Sequence, residues 1–272
     1  MNNNHDKITF GRYKYNPHDK EKSILRKIMN GKLEPKPSDK NKRQQSAYTA
    51  WMVSNCDKTT GARRRLKYAE ELIKNGLHID IFGLCAEVMK QKIPGYKNDF
   101  IQDDQLKKGD KPMAHSMMAI SQYKFYLAFE NGYHCKDYIS EKLWRNSYQG
   151  DLVPVIFGPH PNDVIDVAPP HSYIHAEDFE SPGELVDYLN YLNFNDTAYL
   201  EYHQWRLLDA EATKPRYNRE MKIKCHTCQL VKKLKKEGYP RRYVPSLVKW
   251  YWWNSHDNKC IENWPLPYVL RD

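Results

Sequence analysis

The fold is decided by residues 47–82, AYTAWMVSNCDKTTGARRRLKYAEELIKNGLHIDIF. The first eight of them are apolar or small and predict a buried β-strand. After a polar turn, apolar residues recur at helical spacing at Ala62, Leu66, Ala69 and Ile73. Gly76 ends this helix, and residues 78–82 predict a second strand. The stretch is therefore a strand–helix–strand unit.

The same alternation continues along the chain. Residues 123–129 (YKFYLAF) and 152–157 (LVPVIF) predict buried strands, and residues 172–175 predict a short one. A helix face marked by Ile139, Leu143 and Ser147 lies between the first two of these. Another helix begins at Pro182, because proline is tolerated in the first helical turn. The pattern predicts an α/β fold with a Rossmann-like parallel sheet and helices on both faces.

Composition divides the chain into three parts. Residues 1–46 are rich in Lys, Asn, Asp and Pro and predict a linker. Residues 47–212 form the predicted Rossmann-like domain. Residues 213–272 predict a basic helical C-terminal extension.

The net charge of +9 is concentrated at the two ends of the chain. Residues 1–43 carry 12 Lys and Arg against 5 Asp and Glu, and residues 214–249 carry 12 against 2. The centre, residues 44–213, carries 17 against 24 and is acidic. Since nucleic-acid-binding domains concentrate positive charge on their docking face, this map favours solvated or membrane-facing flanks. A basic polyanion-binding protein using residues 218–249 is retained as an alternative.

Several other classes of protein are disfavoured. No run approaches 18 apolar residues, so we expect no transmembrane helix in the chain, and the polar N-terminus lacks a signal-peptide core. No Gly-rich Rossmann fingerprint or P-loop is present. A dinucleotide or nucleoside triphosphate held by backbone groups alone is therefore disfavoured.

Two strand–helix junctions carry the candidate chemistry. Arg63, Arg64 and Arg65 fall in the first turns of the helix after residues 47–54, where they oppose the helix dipole unless an anion is bound. After residues 123–129, an acceptor-rich turn leads to a helix that begins with Glu141 and Lys142. A carboxylate can accept from adjacent sugar hydroxyls, and an ammonium can neutralise a diphosphate. These junctions predict an anionic ligand of the nucleotide-sugar type.

Three central stretches, YKFYLAFEN (123–131), CKDYISEKLWRN (135–146) and VPVIFGP (153–159), resemble the α1,3-fucosyltransferases. Further similar stretches follow in the same order: WMVSNC (51–56) with GAR (61–63), DIFG (80–83), SYIHAEDF (172–179) and YHQWR (202–206). These are inverting glycosyltransferases of the two-Rossmann-domain (GT-B) type that use GDP-fucose. The resemblance implies that this chain is their C-terminal, donor-binding half, and that residues 1–46 include a remnant of an N-terminal acceptor domain.

The resemblance also implies a set of donor-binding residues: Arg64, Arg65, Lys124, Asn131, Tyr138, Glu141 and Lys142. In the family an arginine contacts the diphosphate, and its position here is Arg65, with Arg64 left open. Arg65 and Lys142 would act in catalysis by stabilising the charge on departing GDP, so no metal would be required and a divalent metal would at most stimulate. The other polar residues would orient ribose and fucose hydroxyls. Glu130 is ranked below them, since it could equally be structural.

The reaction also needs a base for the acceptor hydroxyl. In the family this base is a glutamate of the acceptor domain, and we expect it, the acceptor groove and a membrane anchor upstream of Met1. The expected acceptor is GlcNAc of a glycan or glycoprotein, not nucleic acid, and the expected location is the Golgi lumen. A truncated paralogue that binds GDP-fucose without transferring fucose stays open.

Cysteines and one sequon complete the candidates. The family resemblance implies a disulfide within or near Cys225-x-x-Cys228, whereas a zinc site with His256 and Cys260 has unsuitable spacing between its pairs. Cys56, Cys85 and Cys135 have no assigned partner. Asn195-Asp-Thr197 is a candidate N-glycosylation site.

Overall fold

A single parallel sheet forms the framework of the computed structural model, which describes residues 47–98, 120–135, 138–207 and 231–238. Its five strands are β1 (Thr49–Met52), β2 (Ile79–Phe82), β3 (Phe125–Phe129), β4 (Val153–Phe157) and β5 (Ile174–His175). They are ordered β2-β1-β3-β4-β5, and every pairing is parallel. The predicted α/β class with a parallel sheet is confirmed.

Most strand residues are apolar, because helices cover both faces of the sheet. All five residues of β3 and all five of β4 are buried. Alternate residues face two separate cores. One contains Trp51, Phe125 and Phe129, and the other contains Ala50 and Tyr126.

The helices alternate with the strands, and the predicted helices after β1 and from Pro182 are among them. They are α1 (Thr60–Lys74), α2 (Cys85–Lys92), α3 (Pro161–Ile165), α4 (Pro182–Phe194) and α5 (Asp196–Glu201). A π-helix spans Lys142–Tyr148, and 3-10 turns span Ala176–Asp178 and Gln204–Arg206. The Thr59 hydroxyl caps α1 by accepting from the Ala62 N–H, and the Ser181 hydroxyl caps α4 in the same way.

The predicted linker, residues 1–46, lies outside the described residues. So does nearly all of the predicted extension, residues 213–272. The three-part division of the chain therefore stays a prediction. Within the described ranges, no helix is both long and apolar enough to cross a membrane.

A disulfide joins Cys56, in the loop after β1, to Cys85, the first residue of α2. Neither cysteine has a partner predicted from the sequence. The pairing follows from the parallel register of β1 and β2, which brings their carboxyl ends side by side. Cys135 is disulfide-bonded as well, whereas Cys225 and Cys228 lie outside the described residues.

Removing this bond should destabilise the domain substantially. The cross-linked cysteines are 29 residues apart, and closing a loop of that size in the unfolded chain is worth about 3 kcal/mol. The Cys56→Ala/Cys85→Ala variant should lose about that much unfolding free energy in urea titrations. A loss below about 1 kcal/mol would show that the disulfide hardly restricts the unfolded chain.

Candidate active site

The candidate site lies where the strand order reverses. In the order β2-β1-β3-β4-β5, the chain moves outward on opposite sides from β1 and β3. Ligands of open parallel sheets bind at such a switch point, outside the carboxyl ends of the strands. The two junctions singled out from the sequence follow β1 and β3, so the topology brings them together at this point.

The two junctions are in direct contact at the Asn131 carbonyl. The Thr59 hydroxyl, just before α1, donates to the carbonyl of Asn131, after β3, over 3.0 Å. A Cβ atom added to Gly61 would lie 2.1 Å from the same carbonyl oxygen. The first turn of α1 therefore packs directly on the turn after β3, and only glycine fits at position 61.

Arg65 ties the ends of β1 and β3 together. It is 3% exposed. Its Nη1 donates to the carbonyl of Phe129 over 2.7 Å, and its Nη2 donates to the carbonyl of Asn55 over 2.9 Å. Among the described residues, its Nε is buried and makes no hydrogen bond. The guanidinium thus links the loop after β1 to the end of β3. Its Nε–H remains as a donor for an anion.

Lys142, the first residue of the π-helix, is the second predicted cation. Its Nζ donates to Glu130 Oε2 over 2.8 Å and to Ser140 Oγ over 2.7 Å, and it lies 3.5 Å from Glu141 Oε1. Glu130 directly follows Phe129, whose carbonyl binds Arg65. Both predicted cations therefore lie at the end of β3, Arg65 on the Phe129 carbonyl and Lys142 on the Glu130 carboxylate.

The pKa values reflect competition between burial and charge. For Lys142, burial works against the ammonium, but Glu130 and Glu141 outweigh it and the pKa is raised. For Arg65, burial is the dominant cause and lowers the pKa, with Glu130 opposing it. For Glu141, burial is opposed mainly by Lys142, and the net pKa is lowered. Near neutral pH the site therefore holds a protonated Lys142 beside an ionised Glu141.

The remaining predicted residues of the second junction lie around this centre. Tyr138 is 38% exposed, and burial of part of its ring raises its pKa. Its ring packs against Gly132, where an added Cβ would lie 3.2 Å from it. In the described part of the chain, Asn131 Oδ1 is buried and makes no hydrogen bond. Arg64 lies over the Tyr133 ring, 5.1 Å from its centroid.

Comparison with known proteins places this arrangement in a family. Residues 40–250 match the model of glycosyltransferase family 10 (fucosyltransferase), C-terminal part. The chain belongs to family 10. Its resemblance to fucosyltransferases is thereby confirmed.

Curated relatives agree with this placement. The chain is 35% identical over 229 residues to a 3-galactosyl-N-acetylglucosaminide 4-α-L-fucosyltransferase of Bos taurus, covering 81% of this chain and 52% of the relative. It is 38% identical over 157 residues to glycoprotein 3-α-L-fucosyltransferase A of Drosophila melanogaster, covering 58% of this chain and 27% of the relative. The chain spans about half the length of the bovine relative and less of the fly one.

A solved α1,3-fucosyltransferase structure shares the fold. It matches with a TM-score of 0.50 at 20% identity, covering 83% of this chain and 54% of that chain. This likeness shows that the parallel sheet of the family 10 chain is arranged as in that structure.

One predicted donor-binding residue, Lys124, lies apart from the others. Lys124 precedes β3 and therefore lies at the amino edge of the sheet, opposite the site. Its Nζ donates to Asp196 Oδ1 over 2.7 Å and to the Asn193 carbonyl over 2.8 Å, and it lies 4.8 Å from the Tyr199 ring centroid. These contacts join the start of β3 to α4 and α5, so the structure does not bring Lys124 together with the other predicted residues, and its donor-binding role stays a prediction.

A second polar cluster of the family 10 domain was not predicted. The His134 side chain is fully buried, and its Nε2 lies 2.8 Å from Glu177 Oε1 and 3.0 Å from Glu177 Oε2. The His134 ring stacks on Tyr133 at a centroid distance of 4.3 Å. This pair ties the turn after β3 to the residues after β5. The signal available in the sequence was that both residues follow strands of the same sheet.

The glycosylation candidate Asn195 has a structural contact of its own. Its Oδ1 caps α5 by accepting from the Ala198 N–H over 3.1 Å, and its Nδ2 donates to the Tyr191 hydroxyl over 3.1 Å. An attached glycan would compete with the contact to Tyr191. Modification at Asn195 stays a prediction.

No metal centre was predicted in the family 10 chain. Among the described residues, no group of three or more His, Cys, Asp or Glu side chains is arranged to hold a metal ion. Metal-independent chemistry stays a prediction.

Adding one methyl group at Gly61 should disturb the site. The Cβ of Gly61→Ala would meet the Asn131 carbonyl carbon at 2.6 Å as well as its oxygen, so α1 or the turn after β3 must move. We expect a loss of about 1–3 kcal/mol in unfolding free energy. Gly183 is the matched control, since it is also the second residue of a helix and its nearest atom is a side-chain oxygen 3.2 Å away. Equal losses for the two variants would contradict the close approach at Gly61.

Proposed function

We propose that this chain is the donor-binding part of an α1,3-fucosyltransferase and that it binds GDP-β-L-fucose at the switch point between β1 and β3. The observation that carries the proposal is that Arg65 and Lys142 bind adjacent residues at the end of β3, the Phe129 carbonyl and the Glu130 carboxylate, in a chain of the fucosyltransferase family. Two cations at the carboxyl edge of a parallel sheet suit the diphosphate of an activated sugar.

Each residue of the site is assigned a role in the proposal. Lys142 and Arg65 contact the diphosphate. Arg64, next to Arg65 on α1, adds positive charge. Glu141, whose side chain is 41% exposed, accepts from ribose hydroxyls. Tyr138 and the carboxamide of Asn131 orient the fucose.

The proposed reaction is a single displacement with inversion. The acceptor hydroxyl oxygen of GlcNAc forms a bond to C1 of fucose, while the bond from C1 to the diphosphate oxygen breaks and its electron pair leaves with GDP. Lys142 and Arg65 stabilise the charge that develops on this leaving group. The hydroxyl proton passes to a base. None of the residues gathered at the described site is proposed as that base.

We further propose that the protein works without a required metal and acts on glycan or glycoprotein acceptors in the Golgi lumen. The Cys56–Cys85 disulfide supports a secretory compartment, since disulfides persist in oxidising lumens. The cationic pair supplies at the diphosphate the charge stabilisation that a divalent ion would otherwise supply.

The proposal is tested by calorimetry with GDP and GMP. If the two cations hold a diphosphate, the wild-type chain should bind GDP at least about tenfold more tightly than GMP, because one charge-assisted contact is lost. Equal affinity for the two nucleotides, or no binding of GDP by the folded chain, would reject the proposal. Salt-dependent RNA binding without GDP binding would favour the polyanion alternative.

A transfer assay separates the enzyme from an incompetent paralogue. With GDP-fucose and a GlcNAc-terminated glycan, an active protein forms fucosylated product and GDP in equal amounts. Donor binding without any product would favour the paralogue that binds GDP-fucose and transfers nothing.

A further inference from the structure

Glu130 is the acidic residue at the centre of the site. It is 2% exposed. Its backbone N–H donates to the carbonyl of Phe157 over 2.9 Å, which fixes it between the ends of β3 and β4. A buried carboxylate is costly unless it is paired. Its partners therefore indicate what it does.

The two carboxylate oxygens of Glu130 have different partners. Oε1 accepts from the Ser140 backbone N–H over 2.7 Å, and Oε2 accepts from Lys142 Nζ over 2.8 Å. One side chain, fixed to the sheet, thereby anchors both the backbone that leads into the π-helix and the ammonium on its first residue.

This arrangement leaves one N–H of Lys142 for a ligand. An ammonium has three donors, and Glu130 and the Ser140 hydroxyl take two of them in short contacts. The remaining acceptor, Glu141, lies 3.5 Å away, longer than a charge-assisted hydrogen bond of about 2.7–2.9 Å. A phosphate oxygen can replace it and free Glu141 for a sugar hydroxyl.

We infer that Glu130 is the positioning residue of the donor site: it holds Lys142 protonated and oriented with one N–H directed to the diphosphate. This inference rests on the proposed function. Glu130 touches neither the nucleotide nor the sugar in this arrangement and acts through Lys142.

The charge of Glu130 matters as well as its shape. The charged or titratable groups around Lys142 are Glu130, Glu141 and Tyr138, and Arg65 lies beyond Glu130. Burial alone lowers the pKa of Lys142, and Glu130 is the largest contribution that opposes it. Without that charge the ammonium is less stable in its buried position.

The first test is GDP binding by Glu130→Gln, measured by calorimetry on the 272-residue chain. The amide keeps the size of the side chain, but its single oxygen can accept from only one of the two donors. Its NH2 group then faces either the Lys142 ammonium or the Ser140 N–H. We expect GDP affinity to fall about tenfold. Unchanged or tighter binding would overturn the inference, since simple removal of a negative charge near a phosphate predicts tighter binding.

The second test repeats the substitution in the Lys142→Ala background. There Glu130 has no ammonium to hold and repels the phosphates, so adding Glu130→Gln should strengthen GDP binding instead of weakening it. This reversal of sign is what action through Lys142 requires. An equal loss in both backgrounds would show a structural role independent of Lys142 and would overturn the inference.

A third variant, Glu130→Asp, tests the inference independently if Glu130→Gln does not fold. Glu130→Asp keeps the charge but is one methylene shorter, so it cannot reach both the Ser140 N–H and Lys142 Nζ from the same backbone position. It should still weaken GDP binding, whereas wild-type affinity in this variant would contradict positioning. Absence of GDP binding by the wild-type chain would instead reject the proposed function itself.

The pH dependence gives a readout that a structural role would not change. GDP binding needs the protonated Lys142, so affinity is retained at low pH and lost as the pH rises through its pKa. In Glu130→Gln the pKa is no longer raised by the carboxylate, and the loss should begin at lower pH than in the wild type. Identical alkaline profiles for the two proteins with the same nucleotide would count against the inference.

Discussion

GDP should bind the Lys142→Ala variant at least about a hundredfold more weakly than the wild-type chain. The substitution removes the ammonium that we place on the diphosphate. It also leaves Glu130, 2% exposed, as an uncompensated anion facing the phosphates. Both consequences act in the same direction, which makes this the largest effect expected on function. Calorimetry with GDP measures it directly.

Two lysine variants serve as controls for that experiment. Lys90→Ala removes an exposed partner of Glu87 on α2 and should leave both affinity and stability nearly unchanged. Lys124→Ala removes a lysine that contacts Asp196 at the opposite edge of the sheet, so it should lower stability while leaving GDP affinity within about twofold. A hundredfold loss of GDP affinity in Lys124→Ala would show that Lys124 contributes to donor binding. A loss below about threefold for Lys142→Ala would remove Lys142 from the donor site.

Arg65→Met should cost about 3–5 kcal/mol of unfolding free energy. The guanidinium is 3% exposed and donates to the carbonyls of Phe129 and Asn55. Methionine fills a similar volume but leaves both carbonyls without their donor and deprives Glu130 of a nearby cation. Each effect is destabilising in a buried site. Urea titration followed by circular dichroism measures the loss.

Arg63→Met is the matched control, because Arg63 lies on the same helix but is exposed and contacts the Asp57 carbonyl and the Thr60 hydroxyl. It should change stability by no more than about 0.5 kcal/mol. Arg65→Lys separates charge from shape. It keeps the cation but cannot span two carbonyls, so it should lose most of the stability that Arg65→Met loses. Full stability of Arg65→Lys would show that charge alone is needed.

The parallel sheet could be predicted because its strands are buried on both faces and read as continuous apolar runs, as in FYLAF of β3 and VPVIF of β4. Arg65 and Lys142 could be predicted because each follows a strand of that sheet. The rule that carboxyl ends of parallel strands share one edge then brings them together.

The same rule shows why Lys124 lies apart from the other predicted residues. It precedes β3, whereas Glu130 follows it, and at about 3.3 Å per residue the two lie roughly 20 Å apart along the strand. The resemblance matches residues by type and order, and it does not take into account the end of the strand at which each residue lies. Topology alone predicts that Lys124 and Glu130 lie at opposite edges of the sheet.

Other features depend on side-chain distances that a sequence does not contain. Glu130 was ranked low because a carboxylate beside a strand can be either structural or functional, and only its contacts with Ser140 and Lys142 decide its role. The contact of His134 with Glu177 joins residues 43 positions apart. No local pattern predicts that contact.

The most direct test of the account is a crystal structure of the chain with GDP bound. The account predicts that diphosphate oxygens lie within about 3 Å of Lys142 Nζ and of the Arg65 guanidinium, at the carboxyl ends of β1 and β3. It also predicts that Glu130 keeps its contact with Lys142 and that Glu141 turns to the ribose. Density for GDP at any other edge of the sheet, with these two cations still occupied only by protein, would contradict it.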